Sequence, residues 1–449
     1  MLKNKIGIFV KILTFIIITF SFLVALETKE CEKKSDKDQR LIITGVVPGS
    51  SGEIAGMKPG DVIVSYSGKE VCCIEKLGML KDEVVTDSVE VVIKRDENII
   101  SFTIPKGIIG IYLKELLPDI EFEKDAVIIE GIGRLDWGTG ESSSFIAALT
   151  RIAEYLGIQK DYTYLMGTSG AVFRVQFYED WCPSAPDATV GFDCGAASVK
   201  SLNLNQESIF DKESENKEKI QQKIMAAIDK NMPVIAIDLI EIPEWGLIIG
   251  YQKNGEELIV RTYFDRREGY DIAEKFPWAV IIVNQEKGNI DDNGNFVQSL
   301  KIAQDLYETK KYKAYYSGTA AIEYWIKKLK EDKFESFDDE KFNDIMLTNA
   351  WIFERLADDR MVGAEYLKSF ATQFAQGEDD IIKLASIYET ENKLMTSAEK
   401  IAPYPFQVEK RDDWTDEMRN TEIEILTKVL EKEKEAYLVI KEINKKIQD

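Results

Sequence analysis

The spacing of hydrophobic residues changes along the chain and divides it into three folded regions. Residues 41–115 alternate short apolar runs with turns rich in Gly and Pro, which predicts short β-strands with one or two helices. Residues 125–290 begin with an amphipathic helical pattern and continue into apolar strand patterns, so we expect an α+β region. Residues 295–449 repeat apolar positions at three- and four-residue spacing, which predicts an α-helical bundle. The expected fold class is multidomain α+β.

The N-terminus has the pattern of an export signal. Residues 1–26 carry two lysines followed by an apolar stretch with a single further charge, as signal peptides and signal anchors do. No clear small-residue cleavage site ends the stretch, which favours an uncleaved anchor with its lysines in the cytoplasm; cleavage and secretion are the alternative. Residues 27–40 are almost wholly polar and predict a short tether. We therefore predict a membrane-anchored, extracytoplasmic protein whose N-terminal helix contacts the membrane.

Composition narrows the chemistry available to the chain. Its 449 residues carry 79 Asp and Glu against 57 Lys and Arg, and the net charge of -22 disfavours nucleic acid as a partner. The chain has no histidine, which removes the Cys-His and Ser-His-Asp nucleophile systems and imidazole metal ligands. The sequence shows no phosphate loop, dinucleotide fingerprint or cluster of metal ligands, so no cofactor and no metal are expected.

One segment of the first region carries a specific pattern. Residues 48–71, PGSSGEIAGMKPGDVIVSYSGKEV, resemble PDZ domains of bacterial envelope proteases, where Pro-Gly-Ser-x-Ala-x-x-Ala-Gly-hydrophobic-x-x-Gly-Asp is the usual pattern. Gly52 replaces the usual alanine, and the strand and loop that normally precede Leu41 are absent. The resemblance implies a PDZ-like β-sandwich or barrel with helices at 41–115, with a peptide or protein C-terminus as its partner. No protease sequence accompanies it.

A PDZ domain binds a peptide as an added strand, and backbone N-H groups of a Gly-hydrophobic loop hold the terminal carboxylate. We predict that this loop is supplied from the C-terminal side of the region, as in a circularly rearranged domain. The predicted peptide-binding residues are Gly107, Ile108, Ile109, Gly110 and Ile111. The alternative is that the two glycines only turn a linker toward the second region.

The order of the second region, a helix and then an antiparallel sheet, is that of papain-like folds. The region resembles the N-terminal domain of the butirosin-biosynthesis protein H family, relatives of bacteriocin-processing cysteine peptidases. In that family a Cys begins the first helix and a His precedes the strand that ends in Gly-Tyr-Asp. This chain has Ser142-Ser143-Ser144 at the first place and Glu244-Trp245-Gly246 at the second. The resemblance implies a papain-like pseudoenzyme, without its catalytic pair, that binds a peptide or small amide without cleaving it.

Three residues are nevertheless weak catalytic candidates. Ser142 lies at the predicted helix start, where a simple capping role is favoured. Asp193 and Cys194 superficially resemble the Asp-Cys-Gly motif around a peptidase nucleophile. If Cys194 begins a helix, the N-terminus of that helix would stabilise its thiolate. The chain has five cysteines, and Cys182 with Cys194 is the plausible disulfide. An acyltransferase or amidase that uses Cys194 or Cys182 is therefore the alternative function.

The stretch between these motifs predicts a ligand pocket. Two glycines permit a tight loop whose amides could bind an anion or a carbonyl, an arginine adds charge and a tryptophan adds an apolar wall. The pocket residues are Gly167, Ser169, Gly170, Arg174 and Trp181. An irregular structural loop is the alternative.

The third region resembles, at the level of its helical pattern, the C-terminal region of butirosin H-type proteins. Asn349-Ala350-Trp351 and Asp358-Asp359-Arg360 could face the second region, although charge runs of this kind favour a solvated helix surface. A structural scaffold in which the bundle mediates assembly is the third functional reading.

Overall fold

The computed structural model describes residues 40–47, 49–212, 215–286, 288–397, 411 and 414–448. The predicted anchor at residues 1–26 lies outside this part of the chain. Among the described helices, none combines the length and the apolar character needed to span a membrane. The described residues form antiparallel sheets and a helical C-terminal region, which confirms the multidomain α+β prediction.

The first region is a six-stranded antiparallel sheet with two short helices. Its elements are β1 Arg40–Val46, α1 Ser51–Ala55, β2 Val62–Tyr66, β3 Lys69–Glu70, α2 Ile74–Glu83, β4 Ser88–Arg95, β5 Asn98–Pro105 and β6 Ile111–Leu116. The strands follow the order β5-β4-β2-β1-β6, and β3 pairs with β2. Alternate apolar residues such as Leu41, Ile43, Val91 and Ile93 are fully buried, as expected for strands with one face on the core.

An ion pair between a buried aspartate and a partly exposed arginine closes the turn before β2. Gly60 has a φ of +92°, which favours glycine, and Asp61 after it is fully buried. Arg95 at the end of β4 donates hydrogen bonds of 2.6 and 2.7 Å to the two carboxylate oxygens of Asp61. Arg95 also donates to the carbonyl of Gly56, which ends α1 in the left-handed conformation. The Gly-Asp pair of the motif therefore joins α1, β2 and β4.

The second region is a seven-stranded antiparallel sheet covered by helices. Its elements are β7 Val127–Ile128, α3 Ser144–Tyr155, α4 Tyr162–Thr168, β8 Gln176–Tyr178, α5 Cys194–Ser201, β9 Leu204–Phe210, α6 Lys217–Ile228, β10 Val234–Ile237, β11 Trp245–Gln252, β12 Glu257–Arg261, β13 Asp271–Ile272 and β14 Ala279–Gln285. The sheet order is β13-β12-β11-β10-β14-β9, and β7 pairs with β11. Every residue of β11 is buried because α3 and α6 pack against this central strand.

The third region consists mainly of long helices. Its elements are α7 Asp292–Glu308, β15 Lys311–Tyr312, β16 Tyr315–Ser317, α8 Thr319–Glu331, α9 Asp339–Ala371, α10 Glu378–Thr396 and α11 Asp416–Gln448. The two short strands join β8 in a small sheet of order β15-β16-β8. One hydrophobic cluster contains Ile146 and Ile248 of the second region together with Phe296, Tyr366 and Ile440 of the third. The two regions therefore share a core.

The charge run in α9 does not form the solvated surface that its sequence favours. Arg360 is fully buried, and its Nε donates hydrogen bonds of 3.0 Å to Glu391 and 2.9 Å to Glu433, which are fully buried as well. The expectation fails because three helices bring these charges together in the interior. A buried arginine that is paired in this way ties α9 to α10 and α11.

Candidate functional site

Strand β6 lies at the end of the first sheet. It pairs with β1 through a register that runs from Arg40 with Leu116 to Val46 with Ile111. Its other edge has no strand partner among the described residues. Helix α2 lies beside it, and the N-H of Ile74 at the start of that helix donates a 2.6 Å hydrogen bond to the Glu115 carboxylate of β6. A strand edge next to a helix is the arrangement that accepts an added peptide strand.

The predicted carboxylate loop precedes this edge strand directly. Its carbonyl groups are all occupied by the segment that leads into α1: Ser51 Oγ donates to Ile108 at 3.2 Å, Gly52 N donates to Ile109 at 2.8 Å, and Val47 N and Ser50 Oγ donate to Gly110 at 2.8 and 3.1 Å. The N-H groups of Ile108, Ile109 and Gly110 donate no hydrogen bond to any residue that the structure describes. The loop therefore presents N-H donors, while each of its carbonyls already accepts a hydrogen bond, and this suits an anion.

Two further features define this loop. Gly110 has a φ of +73°, and a Cβ added there would lie 2.2 Å from the Cβ of Ser50. Glycine is thus required both for the backbone conformation and for the close approach to α1. Ile109 is buried in the core of the first region, whereas the side chain of Ile108 is 67% exposed.

A second polar cluster lies at the start of α3. We call it the serine site and define it as Ser142, Ser144, Tyr162, Glu244, Arg355 and Asp358. Ser142 Oγ donates a 2.5 Å hydrogen bond to Asp358, and Ser144 Oγ donates a 2.5 Å hydrogen bond to Glu244. The side chain at the N-cap of α3, Ser143, makes no capping hydrogen bond. The serines therefore do not act as the simple helix cap that the sequence favours, because other elements supply partners for Ser142 and Ser144.

Burial controls the charge of the carboxyl groups here. Glu244 is half-buried as a whole residue, and the burial of its carboxyl raises its pKa to about 7, with a further increase from Asp187. The Ser144 hydrogen bond and the Arg355 charge oppose this increase. Burial also raises the pKa of Asp358, against the effect of the Ser142 hydrogen bond. Glu244 can therefore exchange a proton near neutral pH.

Arg355 brings an incompletely bonded positive charge to the serine site. Its side chain donates one hydrogen bond of 2.8 Å, from Nη2 to Asp359. The residue is only 3% exposed, and beyond Asp359 and Tyr162 its guanidinium has no further hydrogen-bond partner among the described residues. Although burial alone would lower its pKa, Asp359 and Tyr162 raise it, so the guanidinium stays charged.

An aromatic rim connects the serine site to the first region. The Trp137 ring lies 4.3 Å from the Tyr263 ring and 6.3 Å from the Trp351 ring, measured between centroids. Asp136, immediately before Trp137, forms a 2.7 Å ion pair with Lys114 of β6. The prediction that Trp351 and Asp358 could face the second region agrees with these contacts.

The cysteine candidates have a different environment. Cys194 begins α5 after Asp193, whose carboxylate accepts a 2.7 Å hydrogen bond from Ala196 N and caps the helix. Cys194 is fully buried, and this burial raises its pKa to about 11, which opposes a thiolate nucleophile. Cys182 and Cys194 are both free thiols, so the predicted disulfide is absent. The prediction was wrong because Cys194 packs in the main hydrophobic core, whereas Cys182 is only partly buried in a loop.

Each of the five residues of the predicted ligand pocket makes contacts within the folded chain. Four of them have other structural roles: Gly167 packs on the Tyr366 ring, Ser169 bonds its own helix, Gly170 packs on Ile302, and Arg174 donates to four backbone carbonyls. Trp181 donates to Asp332 and packs in a separate apolar cluster. A cleft on the described surface, lined by residues such as Lys160 and Asn289, contains none of the five.

No cluster of three or more Cys, Asp or Glu side chains suited to a metal ion occurs in the described part of the chain. The sequence interpretation singled out Ser142 and the places of Ser144 and Glu244. It missed Arg355, because an arginine in a long helix has no local signal that distinguishes a buried site from the surface.

Comparison with known proteins identifies the first region. The family model described as PDZ domain matches residues 42–95, so the chain contains a PDZ domain there. The match ends before the candidate carboxylate loop. A PDZ domain protein from Parabacteroides distasonis of known crystal structure is similar at 11% sequence identity and a TM-score of 0.15, over 61% of this chain and 59% of that chain. This chain thus spans less than two thirds of that protein. No curated protein matches the sequence.

Proposed function

We propose that this protein binds the C-terminus of a peptide or protein through its PDZ domain. The observation that carries the proposal is the loop Ile108–Gly110, whose carbonyls are all bonded to the α1 segment while its N-H groups have no partner among the described residues. This loop is followed directly by the unpaired edge of β6. A peptide would add to β6 as an antiparallel or parallel strand, with its carboxylate on the loop.

The groove would select an apolar C-terminal residue. The exposed side chain of Ile108 and that of Ile74, which is half-exposed at the start of α2, offer apolar surface beside the edge strand. An acidic tail would be disfavoured, since the whole chain carries a net charge of -22. We therefore infer that the ligand has a free carboxylate, an apolar last residue and few further negative charges.

The test compares two sets of random heptapeptides on the full-length protein purified in detergent. One set ends in free carboxylates and the other, with the same sequences, ends in carboxamides. We expect binders from the first set, whose amidated twins lose at least about tenfold in affinity, or about 1.4 kcal/mol. Equal affinity of both twins would contradict the carboxylate role of the loop, and no binder in either set would contradict peptide binding itself.

We propose further that residues 1–26 anchor the chain in a membrane and present the described regions on its outer side. The apolar stretch and the two preceding lysines support this. The test is cell fractionation: the full chain is expected in a salt-washed membrane pellet, and a chain without residues 1–26 in the soluble fraction. Recovery of the full chain as soluble protein argues against the anchor.

We also propose that the second region is papain-like. This is supported by a helix, α3, that begins at Ser144 and packs on an antiparallel sheet whose strand β11 follows Glu244. Cys-His catalysis is not available to it, because the chain has no histidine. Under this proposal the region binds an extended peptide or a small amide beneath the aromatic rim of Trp137 and Trp351.

A further inference from the structure

We propose that Cys72 and Cys73, at the start of α2, form a reversible disulfide when a small-molecule disulfide oxidises them, and that this bond weakens peptide binding between α2 and β6. The structure contains both residues as free thiols. Formation of the bond is a property of the cysteine pair alone. Its effect on the peptide rests on the function proposed above.

The two sulfur atoms are already close to each other. Cys72 Sγ and Cys73 Sγ are 3.8 Å apart, and a disulfide bond measures about 2.05 Å, so its formation needs a movement of about 2 Å. Successive side chains of an extended chain point to opposite sides. Cys73 has an extended backbone, with a φ of -150° and a ψ of 166°, yet the two sulfurs are in contact. The turn into α2 therefore places both thiols on one side of the chain.

Neither packing nor capping explains why there are two thiols. Among the described residues, the hydrophobic cluster of the first region includes Val71 and Leu77 but neither cysteine. Cys73 is buried, and its Sγ caps α2 by accepting a 3.4 Å hydrogen bond from Lys76 N. A cap needs only one acceptor, and serine, threonine or aspartate provide a stronger one. The half-buried Cys72 has no part in this cap.

The cysteine pair lies directly before the contact between α2 and the edge strand. The N-H of Ile74 donates a 2.6 Å hydrogen bond to the Glu115 carboxylate of β6, which fixes the start of α2 beside the groove. On the other side of the pair, Val71 N donates to the carbonyl of Val64 in β2 at 3.0 Å. A change in the backbone between these two fixed points must therefore displace one of them.

Ring closure would displace the start of the helix. The new bond draws Cys73 Sγ toward Cys72 and away from Lys76 N, so the first turn of α2 loses its cap. Ile74, the next residue, then no longer holds its N-H at the Glu115 carboxylate. A peptide strand on β6 needs α2 at a fixed distance beside it, so we expect the oxidised protein to bind peptide less tightly.

The oxidation balances as two thiol-disulfide exchanges. The sulfur of Cys72, the more exposed residue, attacks the oxidant, whose S-S bond breaks, and one thiol leaves with the proton that Cys72 lost. Cys73 then attacks the Cys72 sulfur of this mixed disulfide, and the second thiol leaves with the Cys73 proton. Two electrons pass from the pair to the oxidant. A disulfide between adjacent residues closes a strained ring, and strained disulfides are easily reduced, so excess thiol restores the pair.

The test treats the full-length protein in detergent with oxidised or reduced glutathione and then alkylates the remaining thiols under denaturing conditions. Trypsin cleaves after Lys69 and Lys76 and releases residues 70–76, which contain both cysteines. After oxidation we expect this peptide without alkylation and lighter by two hydrogen atoms than the dithiol, and after reduction we expect it doubly alkylated. The proposal is overturned if oxidation gives only glutathione adducts, a cross-link to Cys31, or two alkylated thiols.

Two readouts then compare the groove in the oxidised and reduced proteins. Affinity for a heptapeptide with a free carboxylate should be at least about fivefold lower in the oxidised protein. Hydrogen exchange at the Ile74 amide should be faster, because its bond to Glu115 is lost. If no peptide binds the reduced protein, the proposed peptide-binding function fails, and the exchange rate alone decides the effect on α2. Complete disulfide formation with an unchanged exchange rate at Ile74 overturns the effect on the groove.

Two serine variants control this experiment. Cys72→Ser cannot close the ring and keeps Cys73 as the cap, so its affinity and exchange should not respond to oxidised glutathione. Cys182→Ser removes another half-buried thiol, which lies in the second region, and should respond as the wild type does. If oxidised glutathione weakens peptide binding in Cys72→Ser as much as in the wild type, the disulfide is not the cause and the proposal fails.

Discussion

Lys114 of β6 and Asp136 form an ion pair of 2.7 Å, in which both side chains are largely buried. This pair joins the PDZ region to the segment that carries Trp137, since Gly138 on the other side of that tryptophan packs against Tyr112 of β6. Burial lowers the pKa of Lys114 although Asp136 opposes the decrease, so the pair exists in a weakly solvated interface. The edge strand of the peptide groove is therefore also the contact strand between the regions.

We predict that Lys114→Met destabilises the protein by about 1–3 kcal/mol, because Asp136 loses one partner in a buried interface. The loss stays moderate because Arg134 Nε also donates to Asp136, at 3.0 Å. The measurement is urea unfolding followed by tryptophan fluorescence. Lys69→Met is the control, since its pair with Glu83 is more than half exposed, at 60% and 52%, and should change stability by less than about 0.5 kcal/mol. Equal effects of the two variants would show that the Lys114 pair has no special role.

Gly110→Ala should weaken binding of a free-carboxylate peptide by at least about tenfold. Its Cβ cannot fit 2.2 Å from Ser50, so the loop must move away from α1 and its N-H groups lose their common direction. Binding is measured by fluorescence anisotropy with a peptide selected from the heptapeptide set.

Gly68→Ala is a close control for this variant. Gly68 has a φ of +74°, against +73° for Gly110, but a Cβ there meets nothing within 4 Å. Both variants carry the same backbone strain, of about 1 kcal/mol, and only one disturbs the loop. If Gly68→Ala weakens peptide binding as much as Gly110→Ala does, the loop is not the carboxylate site.

Local motifs indicated the PDZ domain because the turns that define it are formed by residues adjacent in the sequence. The Gly-Asp pair at 60–61 is required by the turn before β2 and by the ion pair with Arg95, and a turn of this kind leaves a recognisable pattern. The prediction of the candidate loop rests on the same kind of local signal, two glycines, and both have positive φ. What the sequence could not provide was the pairing of β6 with β1, which makes that loop part of the same sheet.

The serine site could be predicted only in part. Ser144 and Glu244 are 100 residues apart in the chain, and their contact depends on how α3 packs on β11. A signal for the buried charges of α9 did exist: Phe353, Leu356, Arg360 and Leu367 follow one another at helical spacing, so the arginine lies on the apolar face. Its partners in α10 and α11 could not be identified from that pattern.

Iodoacetamide should modify Cys194 very slowly in the native protein at pH 7. The thiol is fully buried and its pKa is raised to about 11, so little thiolate is present and the reagent has no access. Cys182, which is half-buried, is the internal control and should react at least tenfold faster. Fast, selective modification of Cys194 that disappears on denaturation would instead support the cysteine-based acyltransferase or amidase.

Glu422→Gln should stabilise the protein at pH 8 and above, and reduce the pH dependence of its stability. Burial raises the pKa of Glu422 to about 8, above its value in the unfolded chain, and its Oε1 has no hydrogen-bond partner among the described residues. A carboxyl with a raised folded-state pKa binds its proton more tightly when folded. Stability is therefore lost as pH rises from about 4.3, the unfolded value, to about 8.

The glutamine keeps the acceptor for Asn349 Nδ2, which donates to Glu422 at 2.9 Å, without a buried charge. We expect a gain of about 1–3 kcal/mol at pH 8 and a smaller change at pH 5, measured by urea unfolding at both values. A variant that is equally stable or less stable than the wild type at pH 8 would contradict the buried, uncompensated carboxylate.

Arg360→Met should destabilise the helical region by about 3–5 kcal/mol, which is the range for removing one partner of a buried ion pair. The variant leaves Glu391 and Glu433 facing each other in the interior, where burial and then the charge of Glu433 already raise the pKa of Glu391. Arg360 Nη1 also bonds the carbonyl of Val172 in the second region, so its loss should weaken the shared core. Lys368→Met is the matched control on the same helix, because the Lys368 pair with Glu389 of α10 is partly exposed and its loss should cost less than about 1 kcal/mol. If urea unfolding shows a loss below about 1 kcal/mol for Arg360→Met, the cluster does not hold α9 to α10 and α11. If Lys368→Met costs as much as Arg360→Met, the buried network contributes no more than an exposed pair between the same helices.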